Sequence, residues 1–438
     1  MTKLVSKIKK LKTKAEDRQL QAIRGMHDIL PSVQPWWERV TRVSRDLAEF
    51  YGFGRIETPI LEHAKIFEKG TGADTDVVQK EMYVLKTKGG DALALRPEFT
   101  PAIMRAYVEH ALSRLGQPQK LYAIGPVFRH AAPQAGRYRQ FHQFNLEIIG
   151  GQNDPIYDTQ VILIFQRILE ELKIKGIVLR INSIGCKICR PIYKRQLQNY
   201  YKNFEKKLCD DCQRRLKTNP LRLLDCKHPE CQEFKAKAPN FFDKLCAICS
   251  NHLKGVLEYL DELKISYVLD SQLVRGLDYY SRTVFEFEVE GSEVGSVGGG
   301  GRYDYLMEAL GGKMTPAVGA AMGLERVIHA MQKQEVKLSA RSVKKVFFVH
   351  VGELAKKKSL NIIEDLRRAG ISVAESLGRE SLKGQLKTAD KEGIDLALIF
   401  GQKELFEGSI IVRDLRNSLQ ENVQLTKVVD EIKKRLRG

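Results

Sequence analysis

KLYAIGPVFRHAAPQAGRYRQFHQFNLEIIG, residues 120–150, holds two apolar-rich runs, KLYAIGPVFRH and YRQFHQFNLEIIG, joined by AAPQAGR. Aromatic and β-branched residues populate both runs, and the Ala-, Pro- and Gly-containing joint interrupts them. The stretch therefore predicts two antiparallel strands with a mobile, basic connection. Arg129 stands on the first strand ahead of the loop, and Arg137 and Arg139 lie just beyond it. Arginine presents a planar fork of donors that matches phosphate oxygens, so such a hairpin can cradle a triphosphate. Gln143 and Glu147 are an even number of residues apart and point to one face, as does Arg139. A solvated surface hairpin has the same composition, so this segment alone leaves both readings open.

Upstream, WWERVTRVSRDLAEFYGF (36–53) carries apolar residues at helical spacing and stops at Gly52 and Gly54. RIETPILE (55–62) is a strand signal with Pro59 near its middle, so it is an edge or an interrupted strand. LRPEFTPAIMRAY (95–107) sets Glu98 close to Thr100. A carboxylate beside a hydroxyl can grip an ammonium group. The same residues also fit a helix start, with Pro97 in the first turn and Glu98 at its positive end.

Downstream, YVLDSQLVRG (267–276) and RTVFEFEVEG (282–291) predict strands. LVRGLDYYSRTVFE (273–286) puts Arg275 and Gly276 ahead of Asp278, Tyr279 and Tyr280, an unusual grouping for a plain core strand. Its structural alternative is a strand end with aromatic packing. GGGGRYDYL (298–306) lets backbone approach a ligand closely, and its spacing is not that of a P-loop. TPAVGAAMGLERVIHAMQ (315–332) reads as one helix with Arg326 in an apolar stretch. From residue 345 the runs VFFVHV, ISVAES, LALIFG and SIIVRD alternate with helical stretches such as KKSLNIIEDLRRAG, which predicts a small α/β domain.

At 438 residues the chain is too long for one ordinary domain. No run of about 18 apolar residues occurs, so no transmembrane helix is expected. Residues 1–20 are basic without the apolar centre of a secretory signal and read as a tail on a cytoplasmic protein. The net charge of +18, from 72 Lys and Arg against 54 Asp and Glu, favours polyanion partners without choosing among them.

All 8 cysteines lie between Cys186 and Cys249. They form the CxxC pairs Cys186/Cys189, Cys209/Cys212 and Cys246/Cys249, and the CxxxxC pair Cys226/Cys231. Four pairs can build two Cys₄ zinc sites, with His228 and His252 as alternative ligands. Spacing does not tell which pairs meet. The resulting division is a catalytic core in two parts, 21–183 and 263–332, around a Cys-rich insertion at 184–262, with a linker at 333–344 and a last domain at 345–438.

LRPEFT, FRH…GRYRQFHQ, LVRGLDYYSRTVFE, GGGRYD and GLER together resemble the class II histidyl-tRNA synthetases in order and spacing, as do RGMHDILP (24–31) and TNPLRLLDCK (218–227). The resemblance spans residues 20 to 438 and implies an α+β protein: an antiparallel catalytic sheet with flanking helices, and a C-terminal anticodon-binding domain. It implies activation of L-histidine with ATP and Mg²⁺, then transfer to the 3′ end of tRNA(His). Pro59 matches the motif 1 proline of a homodimer interface. Arg129, Arg137 and Arg326 match triphosphate contacts, and Arg275 the distinctive catalytic arginine beside the α-phosphate. Glu98, Thr100 and Gln143 match residues that hold the α-amino group. Glu147 and Tyr280 match those facing the imidazole, with Tyr279 and Tyr303 lining the pocket.

Two positions depart from the pattern. Ala131 stands where motif 2 usually has an acidic residue, which alters adenine recognition, and Phe99 replaces a residue that is small in many members. Many members also lack the cysteines, so a metal there would be structural. A regulatory subunit of histidine biosynthesis shares the core but lacks the last domain and loses catalytic motifs. The intact Arg129, Arg275 and Arg326 argue against it. A bare RNA-binding or zinc-ribbon module would not need Glu98, Gln143, Glu147 and Tyr280 at this spacing.

Overall fold

The computed structural model describes residues 21–73, 75–132, 136–291, 295–338, 345–379 and 381–437. The basic tail, the centre of the loop after Arg129 and the second half of the linker lie outside the described residues. The chain divides into two compact units, Met1–Leu338 and Ser339–Gly438.

The first unit is built on two sheets. In chain order its strands are β1 (Gly54–Arg55), β2 (Leu61–His63), β3 (Val84–Lys86), β4 (Ala92–Leu95), β5 (Gln119–Phe128), β6 (Gln140–Ile149), β7 (Ile177–Ser183), β8 (Tyr267–Leu269), β9 (Ser281–Val289), β10 (Gly298–Arg302) and β11 (Ala317–Gly323). Eight of them form one sheet in the order β1-β5-β6-β11-β10-β9-β7-β8, antiparallel except at its two edge pairs. The small sheet β2-β4-β3 stands apart. RIETPILE is an interrupted strand: β1 ends at Arg55 and β2 begins at Leu61, on different sheets with Pro59 between.

One face of the large sheet is covered by the helices Gln34–Phe50, Pro155–Glu171, Ala247–Glu262 and Leu324–Lys333, whose Val40, Phe165, Val256 and Val327 join sheet residues such as Phe144 and Phe287 in one fully buried core. On the other face lie the helix Thr100–Glu109 and the insertion, with Phe99, Ile103, Tyr193 and Leu197 in a second core. Tyr279, Tyr280 and Tyr303 of the candidate site described below belong to this second core.

Two readings of local structure need correction. Residues 315–332 are not one helix, because Ala317–Gly323 is strand β11 and the helix begins at Leu324. Strand character ends at Leu269: a turn closed by the Leu273 N–H on the Asp270 carbonyl turns the chain out of the sheet before Arg275. The glycine run, given no secondary structure from sequence, is strand β10 in the middle of the sheet, paired to β9 and β11. Its glycines serve close packing, since a Cβ on Gly300 would sit 2.6 Å from both Cα and Cβ of Ala320 and against the Gly319 carbonyl. Gly300→Ala is therefore expected to destabilise the unit by about 3 kcal/mol or more, as overpacking against rigid backbone does. A thermal melt no lower than that of the parent would disprove this.

The second unit has a five-stranded sheet in the order β13 (Ser372–Glu375), β12 (Lys345–His350), β14 (Leu396–Phe400), β15 (Ser409–Asp414), β16 (Gln420–Gln424). β12 runs parallel to both its neighbours, and β14, β15 and β16 are antiparallel. Apolar residues alternate between two faces: Val346, Phe348, Leu398 and Phe400 pack on one, Phe347, Val349 and Ile399 on the other. Helices including Glu353–Arg368 and Leu382–Lys391 complete this mixed α/β unit.

Candidate active site

Two carboxylates are buried close together above the middle of the large sheet. Glu98 lies just before the helix Thr100–Glu109, with Pro101 rather than Pro97 in the first turn. It accepts hydrogen bonds from the Thr71 hydroxyl (2.6 Å) and the Tyr279 hydroxyl (2.8 Å). Glu147 on β6 accepts from Thr100 (2.6 Å), from the Asn145 amide (2.9 Å) and from the Tyr303 hydroxyl. Burial pushes both carboxyls above their ordinary range, and the proximity of Glu98 adds to the effect on Glu147. Gln143 is on the same face of β6, and its buried carbonyl oxygen has no hydrogen-bond partner among the described residues. This end of the site is rich in acceptors, and Arg129 and Arg275 offset the burial of Glu98 only in part.

The other end is cationic. Arg129 donates from Nε to the Pro97 carbonyl (2.9 Å) and lies over the Phe141 ring. Arg326 donates to the carbonyls of Gly136 (2.9 Å) and Ser296 (2.6 Å), which fixes it between the loop and β10. Burial lowers the Arg326 pKa, and repulsion from Arg137 and Arg129 lowers it further. Arg137 itself is exposed. Arg275 pairs with Glu286 on β9 and lies near the Tyr280 ring. Burial alone would lower its pKa, but Glu286 and Tyr280 outweigh that, so the guanidinium remains charged.

The floor between these ends is glycine. A Cβ on Gly299 would meet the Arg275 guanidinium at 2.7 Å, and one on Gly301 would meet the Tyr280 ring at 3.1 Å. One on Gly319 would overlap the Glu147 carboxylate and lie 2.7 Å from the Tyr303 hydroxyl. The close approach expected of the glycine run is therefore to the site's own side chains. Phe99 packs under Arg96 (4.2 Å) and beside Gly125, as part of the core.

Sequence reading missed four participants. Thr71 and Asn145 donate to the two carboxylates, Glu286 pairs with Arg275, and Arg96 ties the carbonyls of Thr58 (2.6 Å) and Pro126 (2.9 Å) together. Asn145 was within reach of a pattern argument, since it shares the face of Gln143 and Glu147. Arg96 and Glu286 lie inside the quoted segments LRPEFT and LVRGLDYYSRTVFE, but their partners are set by the fold, and Thr71 comes from a separate segment.

The insertion holds two cysteine sets, Cys186/Cys189/Cys246/Cys249 and Cys209/Cys212/Cys226/Cys231, each with its sulfur atoms within 4.8 Å of one another. A tetrahedron of sulfurs about 2.3 Å from a zinc ion has edges of about 3.8 Å. The Sγ–Sγ separations Cys186–Cys189, Cys186–Cys246, Cys189–Cys249 and Cys209–Cys226 are 3.7, 3.8, 3.7 and 3.8 Å. Backbone N–H groups of Cys186, Ile188, Cys209 and His228 point at these sulfurs, which favours thiolate ligands. The donor sets fit zinc. Neither histidine is needed: His252 meets Asp158 (3.2 Å) and His228 lies beside Glu230.

An open antiparallel sheet carrying an arginine row beside a carboxylate pocket is the core of a class II aminoacyl-tRNA synthetase. Residues 25–327 match the family model of histidyl-tRNA synthetase, and residues 345–435 that of the anticodon binding domain. The chain belongs to the histidyl-tRNA synthetase family. It is 42% identical over 415 residues to a histidine–tRNA ligase of Desulforamulus reducens (94% of this chain, 98% of the relative). It is 43% identical over 418 residues to one of Dehalococcoides mccartyi (95% of this chain, 100% of the relative). The crystal structure of apo histidyl-tRNA synthetase from S. aureus superposes with a TM-score of 0.78 at 32% identity, covering 94% of this chain and 99% of that one. No helix among the described residues is long and apolar enough to cross a membrane.

Proposed function

We propose that this site activates L-histidine with ATP, giving histidyl-adenylate and pyrophosphate, and then transfers histidine to the 3′ end of tRNA(His). The observation that carries the reading is the charge split across one site. Glu98 and Glu147 are buried acceptors that resist ionisation alone, and Arg129, Arg137, Arg275 and Arg326 form a cluster of cations in which Arg326 is repelled by the others. An amino acid with an ammonium and an N–H heterocycle relieves the first strain, and a triphosphate relieves the second.

In this reading Glu98, Thr100 and Gln143 hold the α-amino group, and the unpaired Gln143 oxygen is free to accept from it. Glu147 accepts the imidazole N–H and a tyrosine hydroxyl, Tyr280, donates to its other nitrogen, which suits a neutral ring with one donor and one acceptor. Tyr279 and Tyr303 line the pocket and orient the two carboxylates. Arg129, Arg137 and Arg326 receive the phosphates, and Arg275 neutralises charge at the α-phosphorus as the histidine carboxylate attacks in line. ATP enters as its magnesium complex, so the ion belongs to the substrate. Acceleration comes from positioning and charge neutralisation rather than covalent catalysis.

We also assign the eight cysteines to two structural Zn²⁺ ions, and the second unit to the anticodon of tRNA(His). We read the chain as a cytoplasmic homodimer. Ile60, Leu61, Val84 and Leu85 are exposed on and beside the outer strands of the small sheet, which supports a second copy there.

The test is histidine-dependent exchange of label between pyrophosphate and ATP. Exchange with histidine alone among the amino acids is expected. Its absence from folded, zinc-replete protein supplied with Mg²⁺ and tRNA would reject the reading.

A further inference from the structure

The loop that carries Arg275, Tyr279 and Tyr280 leaves the sheet after Leu269 and rejoins it at Ser281. Its first turn is closed locally at Asp270 and Leu273, and Asn182 of β7 donates to the Ser271 (3.3 Å) and Leu273 (2.8 Å) carbonyls. From Arg275 to Tyr280 it is also held by side chains of the insertion. Arg222 donates to the Arg275 carbonyl (3.2 Å) and Asn219 to the Asp278 carboxylate (2.7 Å). Arg190 donates to the Tyr280 carbonyl, while its other contacts are the carbonyls of Ile184 (3.1 Å) and Gly185 (3.2 Å). A small cleft whose lining includes Arg190, Asn219, Arg222, Arg275 and Asp278 lies between the insertion and the loop, and these hydrogen bonds cross beside a shared apolar core that includes Leu221, Leu273 and Val274.

The three gripping residues divide between the two cysteine sets. Arg190 directly follows Cys189, in the first turn of the helix Cys189–Lys202. Asn219 and Arg222 lie between Cys212 and Cys226, at the end of one helix and within the short 3-10 turn Pro220–Asp225. Asp76 further anchors Arg222 (3.4 Å) together with Arg215 (2.8 Å).

We propose that the two metal-bound knots act as a two-point clamp on the histidine-recognition loop. The set Cys186/Cys189/Cys246/Cys249 positions Arg190 and so the Tyr280 end. The set Cys209/Cys212/Cys226/Cys231 positions Asn219 and Arg222, and so the Arg275 end. Arg190, Asn219 and Arg222 are positioning residues that touch no substrate. The clamp rests on the activation and zinc readings above, and the experiment separates the three.

Pyrophosphate exchange is measured on the full chain for Arg190→Ala, Arg190→Lys and the pair Asn219→Ala with Arg222→Ala, with zinc content read by atomic emission. Loss of the Arg190 bond to the Tyr280 carbonyl is expected to raise KM for histidine about tenfold, with KM for ATP changed by less than about twofold, and displacement of Arg275 in the Asn219/Arg222 pair to lower kcat about tenfold. Arg190→Lys, which keeps one donor, recovers most of the loss, and zinc stays at two ions per chain. Cys186→Ser with Cys246→Ser should release one ion and reproduce Arg190→Ala. Cys209→Ser with Cys226→Ser should release the other and reproduce the Asn219/Arg222 pair. Unchanged histidine KM and kcat in the Arg190 and Asn219/Arg222 variants would overturn the clamp. Absence of zinc from the parent protein would overturn the zinc reading and the knots with it. Where the parent shows no exchange, the activation reading falls, and histidine binding by calorimetry decides the clamp on the same variants. A fall in melting temperature with equal losses for histidine and ATP would overturn it in favour of general unfolding.

Discussion

Arg275→Ala is expected to lower kcat/KM for histidine-dependent pyrophosphate exchange by about 10³-fold or more, the scale on which a preorganised charge at the reacting centre acts. The size follows from two effects of the same sign. The substitution removes a guanidinium that remains charged in spite of its burial. It also leaves Glu286, the partner of that guanidinium, uncompensated where the phosphates must enter. A lost cation and an unmasked anion both oppose a transition state rich in negative charge.

The second effect can be separated from the first. Arg275→Ala combined with Glu286→Gln should recover about tenfold over the single variant, because the repulsion is gone while the missing cation is not, a coupling between contacting charges of the usual size. Arg275→Lys should fall between, since an ammonium restores charge without the planar fork. A double variant no better than the single would show that Glu286 is not felt by the substrate. A single variant with near-parental kcat/KM would remove Arg275 from the chemistry altogether.

The parts of this arrangement that sequence exposes are those in which chemistry and local periodicity coincide. The hairpin 120–150 is such a part, since its alternation holds across β5 and β6 and places Gln143 and Glu147 on one face. The strand β11 is not, because AVGAAMG has neither bulk nor period and the helix after it dominates the pattern. Its strand identity is decided by neighbours: β6 and β10 supply hydrogen bonds on both sides, and the side chains of Glu147 and Tyr303 need the space that Gly319 leaves. The glycine run reads as close approach of backbone to a ligand for the same reason, whereas what fills the missing Cβ positions is Arg275 and Tyr280 from another segment. The cysteine spacing indicates metal, but which pairs meet depends on closure between residues 60 apart, such as Cys186 and Cys246. Arg190, Asn219 and Arg222 sit in an insertion whose lysine-rich composition looks solvent-facing, and only the folded loop shows what they hold.

Glu147→Gln is expected to move stability and activity in opposite directions. Burial raises the folded-state pKa of Glu147 well above the ordinary carboxyl value, so the sign is that of a group that prefers to be neutral when folded. Its favourable contribution is complete below the unfolded pKa of about 4.3 and is lost as pH rises through the raised folded value. As pH rises above the ordinary carboxyl range the ligand-free fold therefore bears a cost, either to keep this buried carboxyl protonated or to ionise it. An isosteric amide keeps an acceptor for Thr100 and removes that cost. The melting temperature of the ligand-free variant should exceed that of the parent by a few degrees at pH 8, and the gap should close as pH falls and the parental carboxyl takes up its proton. Exchange activity should drop by about 10²-fold or more, because the imidazole N–H loses its charged acceptor. Histidine should no longer raise the melting temperature of the variant as it does that of the parent. Thermal melts from pH 5 to 8, with and without histidine, measure all three effects. A variant that melts below the parent at pH 8 would mean that the donors around Glu147, namely Thr100, Asn145 and Tyr303, stabilise its charge more than burial penalises it. The pocket would then be preset for its ligand rather than held under strain until one arrives.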